Sequence, residues 1–237
     1  MIIVELIGIP GCGKTTTLHS ALSYSRDSGE GKVEIIFLNK VFPGIITLTI
    51  KSLMSYIKHY KSVRNYCRKW VNIVKCVEGV KWCIKYKIGL FELLQFLYFY
   101  DKIKRLKKAN AILVTDQWVF QHVFSVFHDN TINGRAKECI EEIMCEVEAL
   151  FNNHYNVIRC NCSTNTIISH LQTRNDGKSV IDGLDEIELK RIIYIQQINL
   201  NTTYEILPQI NKNGMEINGG IEEMGIQMNK IIYKFYG

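Results

Sequence analysis

At 237 residues, with 47% hydrophobic residues, 22% charged residues and three prolines, the chain has the composition of a globular protein and the length for one large α/β domain over 1–237. Composition gives no low-complexity linker and no internal repeat, and the most apolar later stretch, Ile88 to Tyr100, is too short to span a bilayer and contains Glu92 and Gln95. The formal net charge of +6 is unevenly spread: residues 51–110 hold 15 Lys and Arg against 3 Asp and Glu, a net of +12, so the rest of the chain nets −6.

The apolar start, Met1 to Ile9, has no basic leader and reads as a buried strand rather than a signal peptide. Ile2 to Ile7 is the strand, Gly8 to Gly13 a loop, and Lys14 to Arg26 a helix. After the turn-rich Asp27 to Gly31, Val33 to Leu38 is a second strand. Beyond Pro43-Gly44 the pattern is helical to about Lys108, a basic insertion spanning 45–110. Ala111 to Thr115 is a third strand and ends at Asp116, with a helix soon after. Arg135 to Phe151 is a helix by the spacing of Ile140, Ile143, Met144, Val147 and Leu150.

Tyr155 to Cys162 is a fourth strand, followed by a helix capped by Ser163 and carrying Ile167, Ile168 and Leu171. Asn175 to Asp185 is polar and reads as a loop. Asp185 with Glu188 three residues on starts a long helix to about Leu200. A short strand near Met215 to Ile217 and a last helix to about Phe235 complete the chain. Strands alternating with helices predict a parallel sheet covered on both faces. Eight cysteines, at 12, 67, 76, 83, 139, 145, 160 and 162, form no pair of CxxC units and read as reduced, buried thiols. The expectation is a soluble cytoplasmic protein.

Chemistry concentrates first at Gly8-Ile9-Pro10-Gly11-Cys12-Gly13-Lys14-Thr15, which matches G-x-x-x-x-G-K-[ST] in full. Glycines let backbone N–H groups converge on an oxyanion, and the following helix adds its positive N-terminal end. Lys14 is placed to reach the β- and γ-phosphates of a nucleotide, and the Thr15 hydroxyl to ligate Mg²⁺. A chance glycine turn is the competing reading; the apolar strand before the motif and the helix after it argue against that. Asp116, at the carboxyl end of a strand, is where a magnesium-organising acid or a proton acceptor belongs. The competing reading is a helix N-cap before Gln117.

The segment Val4 to Thr16, together with Asp116-Gln117-Trp118 and Gln121, resembles the P-loop kinases of small molecules, in the broad thymidylate kinase and nucleoside/nucleotide kinase-like group. The resemblance implies a three-layer P-loop kinase fold with a five-stranded parallel sheet. It implies ATP, or GTP in its place, with Mg²⁺, held by Gly8, Pro10, Gly11, Cys12, Gly13, Lys14, Thr15 and Thr16, and a metal organised by Thr15 and Asp116. It also implies a lid over 174–185 in which Arg174 stabilises charge during transfer, with Lys178 in support. The group's other lid arginine corresponds to His170, a departure that puts catalytic competence in question. The resemblance also implies a contact to the nucleotide base at Asn218-Gly219-Gly220.

On the acceptor side the group places an acid or arginine after the second strand, whereas this chain offers Asn39-Lys40-Val41-Phe42-Pro43-Gly44. Glu5 lies too far back on the first strand and is expected to satisfy a buried backbone group or a cation. In the insertion, basic residues such as Lys58, Lys61, Arg64 and Arg68 interleave with Tyr56, Tyr60, Tyr66, Trp70, Trp82 and Tyr86. Most of these are expected to be a solvated face and its core side. A net +12 is still a field that gathers an anionic partner: a nucleotide, a phosphorylated sugar, nucleic acid or an anionic membrane surface. The reading is an ATP-dependent phosphotransferase acting on a small anionic or polyhydroxylated acceptor. The alternatives are a nucleic-acid- or partner-stimulated NTPase and a nucleotide-binding protein without strong catalysis.

Overall fold

The computed structural model describes residues 1–27, 34–38, 44–78, 81–106, 111–116, 118–127, 130–152, 154–173, 184–207, 211–218 and 220–235. Its elements run β1 (Ile2–Ile7), α1 (Lys14–Asp27), β2 (Glu34–Phe37), α2 (Ile45–Lys75), α3 (Trp82–Arg105), β3 (Ala111–Thr115) and α4 (Val119–Val126). They continue α5 (Gly134–Phe151), β4 (Tyr155–Asn161), α6 (Thr164–Thr173), α7 (Glu186–Ile206), β5 (Asn211–Glu216) and α8 (Ile221–Lys234).

The five strands form one parallel sheet in the order β2-β3-β1-β4-β5. Strands β1 and β3 are continuous apolar runs but for Glu5 and Thr115, as burial on both faces requires. Helices α1 and α8 are paired so closely that a side chain at Gly225 would collide with Ser20. Helices α4 and α5 lie against β1 and β4, with α3 packed on α4 and α7 on both. With the glycine loop leaving the central strand β1, this is the three-layer α/β fold expected.

The predicted boundaries hold to within a few residues except in three places. Helix α7 runs on to Ile206, beyond its expected end near Leu200. Strand β5 starts at Asn211, earlier than its apolar residues indicate, because Asn211 to Glu216 add to β4 through backbone pairing at the sheet edge. The long helical stretch is two helices, and α2 itself bends at His59 (φ −110°, ψ 18°). Before His59 its contacts climb α3, with Ser52 bonding to Leu94 and Ser55 to Leu97; after it they descend, from Tyr66 on Phe96 to Trp70 on Gly89. The two halves of α2 therefore run along α3 in opposite senses. Asp101 pins the bend, accepting from Lys58 Nζ at 3.0 Å, His59 Nε2 at 3.0 Å and Arg105 at 2.5 Å.

The insertion is tied to the sheet by a ring stack. Tyr66 lies 3.6 Å from Phe96 between centroids, Phe96 5.7 Å from Trp118, and Trp118 5.9 Å from Tyr155 of β4. Tyr66 and Trp70 are thus core rather than base-stacking platforms. All eight cysteines are free thiols, but only Cys12 and Cys160 are buried, while Cys83 and Cys145 are exposed. The expectation of uniformly buried thiols is corrected accordingly. Among the described residues no helix is long and apolar enough to cross a membrane.

Candidate functional site

The loop after β1 takes its shape from its glycines. Gly11 and Gly13 sit at φ +86° and +88°, a region that costs other residues roughly 1–2 kcal/mol. At Gly8 a Cβ would stand 2.6 Å from the carbonyl oxygen of Cys160 on β4, so only glycine lets the loop leave the sheet here. Helix α1 then starts at Lys14 at the end of the loop, and the first backbone N–H groups of a helix have no intrahelical acceptors. Such a terminus attracts an anion.

The Lys14 side chain is almost fully buried and folds back across the loop, where Nζ donates to the carbonyls of Gly8 (2.6 Å) and Ile9 (3.2 Å). Thr15 and Thr16 are exposed at the helix start. The Thr15 hydroxyl donates to Asp116 Oδ2 at 2.5 Å, bridging 101 positions of sequence. Parallel pairing of β1 with β3 brings both to the same edge of the sheet. A hydroxyl and a carboxylate side by side form an oxygen donor set suited to a hard cation such as Mg²⁺. The helix-cap reading of Asp116 does not hold: α4 has no side-chain cap from it.

That cap is supplied by Glu5, fully buried in the middle of β1. Its carboxylate accepts from the backbone N–H groups of Trp118 (3.0 Å), Phe120 (3.1 Å) and Gln121 (3.3 Å), and from the Tyr155 hydroxyl. Burial pushes its pKa up to about 7 against the pull of those hydrogen bonds. Glu5 thus does what the sequence led one to expect, satisfying buried backbone groups.

Helix α6 closes the loop from the other side. Leu171 packs so near Gly11 that a Cβ there would come 2.9 Å from its Cγ, and the His170 ring meets the Gly11 carbonyl oxygen at 2.8 Å (Nδ1). His170 therefore sits on the glycine loop itself. Arg174 and Lys178 lie outside the described residues, as do Gly219 and positions 39–43; Asn218 is exposed after β5.

Beside the loop a cavity of about 220 Å³ is lined by Ile9, Cys12, Arg159, Asn161, Gln197 and Asn201 among others. Arg159 Nε donates to Asn161 Oδ1 at 2.7 Å, and its guanidinium lies 5.4 Å from the Tyr204 ring centroid. Sequence reasoning passed over Arg159; its place at the carboxyl end of a strand is the signal that could have found it. Lys14, Thr15 and Asp116 are not among the residues that line this cavity; they stand at the carboxyl ends of β1 and β3, Lys14 and Asp116 buried and Thr15 exposed.

No family model matches the chain, and no curated protein sequence matches it. Among solved structures it is similar to a shikimate kinase from Acinetobacter baumannii in complex with shikimate, at 12% identity and a TM-score of 0.45, over 99% of this chain and 94% of that one. It is also similar to EHV4-TK, a thymidine kinase, complexed with TP5A, at 12% identity and a TM-score of 0.44, over 98% of this chain and 90% of that one. Both likenesses are distant. The fold stands on the strand order and the loop.

Proposed function

We propose that this chain is an ATP·Mg²⁺-dependent phosphotransferase acting on a small acceptor, anionic or polyhydroxylated, such as a nucleotide, nucleoside or sugar. The observation that carries the reading is the Thr15–Asp116 contact at 2.5 Å beside a loop shaped by Gly8, Gly11 and Gly13. In this reading the loop N–H groups and Lys14 hold the phosphates, Lys14 exchanging its loop carbonyls for phosphate oxygens. Thr15 and Asp116 hold Mg²⁺, which when bound neutralises charge on the β- and γ-phosphate oxygens. ATP is the proposed donor and GTP the alternative, with Asn218 and Gly219 beside the base.

Where the acceptor is a neutral hydroxyl, Asp116 is the residue proposed to take its proton; where it is already an oxyanion, no base is required. Arg174, the residue after the helix that touches Gly11, is proposed to steady charge on the transferring group, with His170 already at the loop. Eight free thiols support a cytoplasmic location.

The test is ADP release with ATP and Mg²⁺ across nucleotide, nucleoside and sugar acceptors, for the wild type and Asp116→Asn. Acceptor-stimulated release that falls about a hundredfold in the variant is expected. Tight nucleotide binding, with no acceptor raising turnover and with Asp116→Asn indistinguishable from wild type, would favour a binding protein instead.

A further inference from the structure

The first half of α2 is folded the wrong way round for a surface helix. Between residues 45 and 58 it buries Leu48, Ser52 and Ser55 against α3. The two serines survive there because Ser52 Oγ donates to the Leu94 carbonyl at 2.6 Å and Ser55 Oγ to that of Leu97 at 2.7 Å. Its other face presents Ile45, Ile46, Ile50, Leu53, Met54 and Ile57, each between 55 and 74% exposed. Positions 46, 50, 53 and 57 follow one another at the spacing of a single helical stripe. Monomeric proteins rarely leave more than a few hundred Å² of contiguous apolar surface open, and a larger patch marks an interaction site.

Charge selects the partner. Residues 45–75 contain seven Lys and Arg and no Asp or Glu, with exposed Lys51 and Lys58 in the same half of α2 as the stripe, Lys58 paired with Asp101. Two copies joined through this face would bring two positive segments together. Nucleic-acid bases stack on rings, whereas the six exposed side chains are all aliphatic. An anionic bilayer answers both features: acyl chains take the isoleucines and headgroups take the lysines. The net −6 outside residues 51–110 would keep the remainder of the molecule turned away.

We propose that residues 45–60 dock this protein on anionic lipid membranes, the helix lying in the plane of the surface with its Ile46–Ile57 stripe at the headgroup boundary. The site is independent of phosphoryl transfer and is tested without it.

The full chain is sedimented with vesicles of phosphatidylcholine alone and with roughly 30 mol % phosphatidylserine added. Binding to the anionic vesicles alone, weakened by about 0.5 M salt, is expected. A triple variant, Ile50→Glu, Leu53→Glu and Ile57→Glu, should lose about a hundredfold or more in partitioning. In a separate Leu53→Trp variant, whose core is untouched, the added indole emission should shift to the blue on the anionic vesicles. Wild type left in the supernatant, undiminished sedimentation of a folded triple variant, or an unshifted emission from the Leu53→Trp variant would each overturn the proposal. So would a lipid-free dimer in sedimentation velocity that the triple variant dissociates, since the face would then belong to a second copy.

Discussion

The glycine-loop edge of the sheet and the helical insertion are built on opposite principles. At the loop edge, a few polar contacts are set by backbone shape: Gly11 and Gly13 at positive φ, Lys14 on two carbonyls, Thr15 on Asp116. In the insertion, large rings fill space, from Trp70 and Tyr66 through Phe96 to Trp118. Removing a contact at the edge leaves the core intact, whereas removing a ring leaves a hole in it. Function and stability should therefore respond to different substitutions, and four variants can break or sharpen that division.

The largest effect is expected for Trp70→Ala, which empties a buried ring site and strips the Gly89 carbonyl of the indole N–H at 2.7 Å. A loss of about 4–5 kcal/mol in urea unfolding is expected. ATP turnover per folded molecule should change little; a large loss of turnover at unchanged stability would join the two regions. Next comes Lys14→Ala, with a fall of about a thousandfold in acceptor-stimulated turnover and little change in unfolding midpoint. A midpoint that drops with activity would mean the Lys14 contacts to Gly8 and Ile9 are structural.

Glu5 sits between the two regions and ties them by pH. Its folded pKa is about 7 against 4.5 for a free carboxyl, so the native state binds the extra proton between those values. Stability should be greatest below about pH 4.5 as far as this group is concerned, fall through the window, and be lower by on the order of 3 kcal/mol above pH 7. Glu5→Gln should flatten that slope when unfolding free energies are compared from pH 5 to 8. An identical slope in wild type and variant would show that burial does not govern this carboxyl.

The smallest effect is at the bend of α2. Burial works against ionisation of Asp101, but hydrogen bonds from His59, Lys58 and Arg105 hold its pKa down to about 2. Its contribution is present above about pH 4 and fades as pH falls toward 2. Asp101→Asn should cost about 1 kcal/mol at neutral pH, discounted for the solvent that screens exposed Lys58 and Arg105. The cost should shrink in acid, read by thermal melts across that range.

What could be read from the sequence follows how local each cause is. Gly8 to Thr15, the apolar β1 and β3, and the Asp185 cap on Glu188 (2.9 Å) depend on neighbours a few positions away. The cap of α4 was hidden because its acceptor, Glu5, stands 113 positions before Trp118. The reversal at His59 has no glycine or proline to announce it and depends on Asp101. Strand β5 begins in Asn211-Lys212-Asn213-Gly214, residues of poor strand propensity overridden by pairing with β4. Nor does periodicity say which face of 45–58 turns inward, since hydroxyls bonded to α3 carbonyls took the place of isoleucines.

The Glu5 cluster also bears on how the chain is made. The strand that carries Glu5 leaves the ribosome well before its partners, since the hydroxyl of Tyr155 and the α6 residues on Gly11 come more than 140 residues later. At roughly 5–20 residues per second, the glycine loop waits on the order of ten seconds or more for the partners that fix it. The first-synthesised part of the site is among the last to take its final form, and nascent chains stalled before residue 155 should hold no nucleotide.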